Sequence, residues 1–158
     1  MTGPTPAGPP RIEPRGVRLG VDVGKVRVGV AISDPDGILA TPLATVPRDL
    51  SRHHRDIQAI ADLVREHGAV EVILGLPVSL SGEESHAAIE ARAYGQLLSV
   101  ALAPVSVVLT DERMSTQLAS RRLSERGVRG RRHRAVVDQM AAAEILQRYI
   151  DAQRRRTT

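Results

Sequence analysis

The chain has 158 residues, 42% of them hydrophobic and 25% charged, the balance of one soluble globular domain with its own core rather than of a disordered or membrane chain. It has no cysteine, which excludes disulfides, thiolate metal sites and a cysteine nucleophile and fits a cytoplasmic protein. The net charge of +4 is unevenly spread: residues 1–110 hold ten basic and twelve acidic side chains, residues 111–158 twelve and six.

The first fifteen residues, with five prolines and no apolar run, read as a disordered tail rather than a signal peptide or membrane span. From Val17 to Val23, Val17, Leu19, Val21 and Val23 alternate with Arg18, Gly20 and Asp22, the period of a strand. After Gly24 and Lys25 the alternation resumes as Val26, Val28, Val30 and Ile32 against Arg27, Gly29, Ala31 and Ser33, which predicts a hairpin. A third strand over 38–46 contains Pro42 and belongs at a sheet edge. Ser51 opens a helix with Ile57, Ile60, Ala61 and Val64 on one face and Gly68 as its cap. A fourth strand, Val70 to Leu74, ends in a loop that begins with Gly75. Ser81 and Glu84 suggest a capping box for a helix reaching about Leu102. Val105 begins a fifth strand through Thr110, Ser115 caps a short helix to Leu123, and Ala135 to Ile150 form the last helix. Three meandering strands followed by alternating helices and strands predict an α/β domain with a mixed five-stranded sheet flanked by helices. The domain spans 16–151, with an arginine-rich flexible loop at 126–134 and a basic tail at 152–158.

With no Phe or Trp and only two Tyr, the core is aliphatic, and little is available to stack on unpaired bases. Recognition of a nucleic acid would therefore rest on backbone shape and charge. The stretch "RGVRGRRHR" places Arg126, Arg129, Arg131, Arg132 and Arg134 within nine residues. Guanidinium groups grip phosphate bidentately, and binding releases counterions, so an acidic polymer is the natural partner.

Three acidic positions stand where packing alone would not choose them. Asp22 interrupts an apolar strand, and Gly20, Gly29 and Ala31 on its face leave room for a ligand; the alternative is a solvent-facing acid or an ion pair with Arg18 or Arg27. Asp111 and Glu112 follow the fifth strand, where ligands gather in alternating α/β sheets, although acids are also favoured before a helix N-terminus. Asp138 shares helical spacing with Ala142, Ile145 and Tyr149, a face that should pack on the sheet. Carboxylates crowded together repel unless a cation neutralises them, and hard oxygen ligands suit Mg²⁺ or Mn²⁺. Two such ions about 4 Å apart can serve an in-line phosphodiester displacement. The five histidines show no zinc spacing, and neither a GxSxG elbow nor a Walker loop is present.

"DVGKVRVGVA", "GLPVSLSG", "DERMST" and "VDQMAAAEILQ", in this order, resemble the motifs of the YqgF, or RuvX, family. Val26 stands where that family commonly has Lys, and Ser81 where it usually has Asp. The resemblance implies a ribonuclease H-like fold and a cytoplasmic divalent-metal nuclease whose catalytic and metal-binding residues are Asp22, Glu112 and Asp138. It further implies 5′-end maturation of precursor 16S ribosomal RNA or, alternatively, resolution of Holliday junctions. Structured RNA or branched DNA is then the partner, held by Arg27, Arg113 and the arginine cluster, and a resolvase that cuts paired strands would work as a homodimer. Arg27 could instead be an ion-pair partner within the site. Two further readings are a non-catalytic nucleic-acid-binding module and half of an actin-like ATPase, the latter disfavoured because such enzymes clamp nucleotide between two domains.

Overall fold

The structure, a computed structural model, describes residues 12–78, 84–113 and 131–156. Its elements are β1 (Arg18–Val23), β2 (Arg27–Ser33), β3 (Ala40–Pro47), α1 (Arg55–His67), β4 (Glu71–Val78), α2 (His86–Leu102), β5 (Ser106–Arg113) and α3 (Arg131–Arg156). The strands form one mixed sheet in the order β3-β2-β1-β4-β5, antiparallel from β3 to β1 and parallel from β1 to β5. β3 is an edge strand as Pro42 requires, and its pairing with β2 shifts register beside that proline, between Val30 and Ala31.

The period-two alternation divides the core. Leu19, Val21, Val28, Val30, Val72 and Leu74 face α1 and α2, where Ile57, Ile60, Val64, Tyr94 and Leu98 complete the larger cluster. On the other face, Ala31 and Ile73 meet Ala142, Ile145, Leu146 and Ile150 of α3. β4 is buried on both faces, so its Val72, Ile73 and Leu74 form a continuous apolar run without alternation.

Several boundaries differ from the expectation. β4 does not stop at Leu74: it continues through Gly75, Leu76 and Pro77, because β5 stays paired with it out to Val78 and Arg113. Asp111 and Glu112 therefore lie within β5 rather than after it. α1 begins at Arg55 rather than Ser51. Asp49 organises its approach: Oδ1 accepts the Ser51 N–H at 2.9 Å and Oδ2 the Arg55 N–H at 2.8 Å. The Ser51 hydroxyl is the main cause that lowers the Asp49 carboxyl to about 2. α2 is capped by Ser85, whose Oγ accepts the Ala88 N–H at 3.2 Å. Ser81 and the helix expected from Ser115 lie outside the described residues.

α3 is longer than expected at both ends. Arg131 to Arg134, read as loop, form its first turn, and residues 152–156, read as tail, continue it; arginine is a good helix former. Residues 12–15, read as part of a disordered tail, are packed. Ile12 is buried with Ala31 and Ile73, and Arg18 holds the segment with a guanidinium only 1% exposed. Its Nη2 donates to the Pro14 carbonyl at 2.8 Å and its Nε to Glu71 at 3.0 Å.

Candidate active site

Asp22 projects from the α3 face of β1, beside two glycines. Across the antiparallel pair it stands opposite Gly29. On the parallel side Val21 pairs with Leu74, which puts Gly75 next to Asp22. Each glycine admits one of the other two acids. A Cβ built on Gly29 would lie 2.1 Å from the Asp138 carbonyl oxygen, so the first turns of α3 rest directly on the β2 backbone. A Cβ on Gly75 would lie 3.1 Å from Glu112 Oε2 and 2.6 Å from Ile145 Cδ1. The two flanking glycines thus bring Asp138 over one side of Asp22 and Glu112 over the other.

This corrects one sequence expectation. Two of the small residues on the face of Asp22 are covered by α3: Gly29 by the Asp138 backbone, and Gly20 by Leu146 Cβ and the Ala142 carbonyl, both within 3 Å of where a Cβ would stand. Small side chains are there so that α3 can approach the sheet closely. On the Glu112 side lies a cavity of about 20 Å³, room for one water, bordered by Thr110, Asp111, Glu112, Glu144, Ile145 and Arg148.

The two adjacent acids of β5 separate clearly. Glu112 is 6% exposed, whereas Asp111 is exposed to solvent. Asp138 is half-buried, and Arg27 Nε donates to its Oδ2 at 2.6 Å, a charge-assisted bond across 111 residues of chain. Among the described residues no group of three acidic or histidine side chains is arranged to hold a metal ion. The three acids are neighbours on one sheet face, with the Asp138 carboxylate turned toward Arg27.

The arginines fall into three groups. Arg27 and Arg134 border a groove of about 530 Å³ with Val26, Thr45, Pro47 and Ala135. Arg132 is exposed on the first turn of α3, which Arg131 begins, and Arg113 ends β5. Arg126 and Arg129 lie outside the described residues. Sequence reasoning missed Glu144 and Arg148, whose separation of four on α3 reads as a surface pair. It also missed Thr45, which donates to the Ala135 carbonyl at 2.7 Å and accepts from Gln139 Nε2 at 3.0 Å; a threonine on an edge strand gives no signal of this. Among the described residues no helix is long and apolar enough to cross a membrane.

Comparison with known proteins bears on the fold and the family. Structures titled "T. thermophilus RuvC in complex with Holliday junction substrate" and "Thermus thermophilus RuvC structure" superpose with TM-scores of 0.53 and 0.51 at 17% and 16% identity. They cover 87% and 89% of this chain and 95% and 97% of their own, so the fold is ribonuclease H-like. A protein of Frankia casuarinae named "Putative pre-16S rRNA nuclease" is 52% identical over 138 residues, 87% of this chain and 68% of its own length. Proteins of the same name from Rhodococcus erythropolis and Streptomyces avermitilis are each 51% identical over 89% of this chain, covering 81% and 88% of their own. The family profile described as "RuvX: Holliday junction resolvase" matches residues 16–152, and on that match and these identities the chain belongs to the RuvX family.

Proposed function

We propose that the protein is a divalent-metal-dependent endonuclease that hydrolyses phosphodiester bonds in structured nucleic acid, and that it matures the 5′ end of pre-16S ribosomal RNA in the cytoplasm. The observation that carries this reading is the position of Asp22 between Gly29, which lies against the Asp138 backbone, and Gly75, which lies near Glu112 Oε2. The naming of the 51–52% identical relatives supports the ribosomal substrate.

The donor chemistry fits Mg²⁺ or Mn²⁺. All three side chains are carboxylates, the hard oxygen ligands these ions prefer, and the missing side chain at Gly75 leaves Glu112 Oε2 its place. Asp22, Glu112 and Asp138 would hold two ions, which when bound supply Lewis-acid activation of water and stabilisation of the leaving oxygen. Glu112 is fixed by the β4–β5 ladder, and its burial keeps bulk water from competing for it. Asp138 is carried by α3, and Arg27 holds its carboxylate in place beside Gly29. A substrate phosphate arriving there offers Arg27 a second anionic partner, which frees a carboxylate oxygen of Asp138.

The description of the family as a Holliday junction resolvase favours a second reading, cleavage of branched DNA by a homodimer. Purified protein with magnesium should be given a precursor rRNA fragment and a four-way DNA junction side by side. One defined RNA end marks maturation, and paired symmetric nicks mark resolution. Asp22→Asn and Glu112→Gln should each lower cleavage by more than about 100-fold, beyond the 10–100-fold usual for residues outside the metal's direct ligands, with nucleic-acid binding retained. Chelation should abolish cleavage. Undiminished cleavage by both variants would overturn the assignment of these acids, and binding with no cleavage by the unaltered protein would leave only the non-catalytic binding module.

A further inference from the structure

The groove that Arg27 and Arg134 border is separate from the small cavity at Glu112. It runs between the end of the β1–β2 hairpin, the edge strand β3 and the first turns of α3, and encloses about 530 Å³. That lies within the roughly 300–1,000 Å³ typical of ligand sites. Its charge is one-sided: none of its lining residues is acidic, and the nearby Asp138 is paired with Arg27. The Arg134 Nε is buried, yet has no hydrogen-bond partner among the described residues. A buried donor without a partner is costly, so this Nε–H is a donor that an acceptor in the groove would satisfy.

The opposite wall is apolar. Val26 is 66% exposed, which a valine on a hairpin does not require, and Pro47 lies beside it. The rim is built rather than loose, because Thr45 ties β3 to α3 through Ala135 and Gln139. A peptide adding itself to β3 as a further strand is disfavoured by Pro42 and Pro47, which have no N–H to offer along that edge.

Resting on the nuclease reading above, we infer that this groove is a subsite for the phosphodiester backbone of the substrate strand next to the cleaved bond. Arg134 and Arg27 bind its phosphate oxygens, and Val26 and Pro47 lie against the sugar. Arg27 touches both the groove and Asp138, so the strand seated here is delivered directly to the proposed catalytic acids. The chemistry recognised is the phosphodiester shared by RNA and DNA, without base identity.

The test is equilibrium binding of labelled single-stranded RNA and DNA of one sequence, in chelator, to the Glu112→Gln protein, titrated with salt. Arg134→Gln should weaken binding about 10-fold and reduce the slope of log affinity against log salt by about 1. Val26→Glu, at an exposed position that leaves the core untouched, should weaken it several-fold. Equal losses for RNA and DNA identify the phosphate as the ligand, and a loss confined to RNA overturns the phosphate assignment in favour of a contact to the 2′-hydroxyl. If Arg134→Gln is unfolded by circular dichroism, the Val26→Glu result decides alone. Unchanged affinity and slope in the folded variants overturn the subsite, whatever Glu112→Gln does to cleavage. Persistent cleavage by Glu112→Gln in magnesium would instead overturn the catalytic reading, leaving the groove to be judged by the binding data.

Discussion

Replacing Gly29 with Ala tests the packing that positions the candidate site. The new Cβ would stand 2.1 Å from the Asp138 carbonyl oxygen and 2.5 Å from its carbonyl carbon. These are backbone atoms in a helix, which cannot rotate away as the end of a side chain can. α3 must retreat by more than an ångström, and it is also seated on Gly20 through Leu146 and Ala142, so the retreat loosens the buried layer formed by Ala142, Ile145, Leu146 and Ile150. Overpacking costs about 1–3 kcal/mol, and a rigid obstacle puts this case at about 3 kcal/mol. For a domain of this size that lowers Tm by about 6–12 °C. Because a misplacement of about 1 Å can cost 100-fold in rate, cleavage should also fall by about 100-fold at a temperature where the variant is folded. Thermal unfolding followed by circular dichroism and a cleavage assay measure both. Gly68→Ala is the control: nothing lies within 4 Å of its Cβ, but its φ of 61° makes alanine strained, so it should lose about 1 kcal/mol with cleavage intact. A Gly29→Ala protein that melts with the wild type and cleaves at full rate would refute the close approach of α3.

Two further perturbations address stability away from the site. Glu71→Ala leaves the Arg18 guanidinium buried with only the Gly16 and Pro14 carbonyls, and should cost about 3 kcal/mol in urea unfolding, most of it recovered in an Arg18→Met, Glu71→Leu double variant. Tyr149 has its hydroxyl pushed up to about 12, first by burial and then by the charge and hydrogen bond of Glu71. The unfolded chain releases that proton near pH 10, so this contribution to stability is complete below about pH 10 and is lost as the pH rises toward 12. Tyr149→Phe should flatten that part of the alkaline decline in the urea midpoint, leaving the part due to Tyr94, whose hydroxyl is also raised by burial and by Asp56.

What could be read from the sequence was what depends on local period. The hairpin and the two faces of its strands follow from alternating valines, and the alternation alone put Asp22 on the face that α3 covers. Pro42 marked an edge strand correctly. The misread features depend on partners distant in the chain. "GLP" and "DER" carry loop and turn chemistry, yet pairing between β4 and β5 holds both extended. Gly20 and Gly29 read as room for a ligand because nothing in the sequence shows a helix backbone arriving more than a hundred residues later. The same separation concealed the bond between Arg27 and Asp138, which makes Arg27 an ion-pair partner of an acid that the sequence did not link to it. Ile12 stood among prolines with no periodicity to mark it as part of the core.

The order of synthesis gives the seating of α3 a kinetic meaning. β1 and β2 leave the ribosome first, and their glycine-lined face has no cover until α3 follows every strand it packs on. Closure of the apolar layer and arrival of Asp138 are therefore one event. A nascent chain exposing Asp22 and Glu112 lacks the third carboxylate, and a chain that has gained it has also completed its core. On the proposed assignment of these acids, catalytic competence and resistance to proteolysis should thus appear together during translation, which for a nuclease would protect nearby transcripts from its unfinished copies.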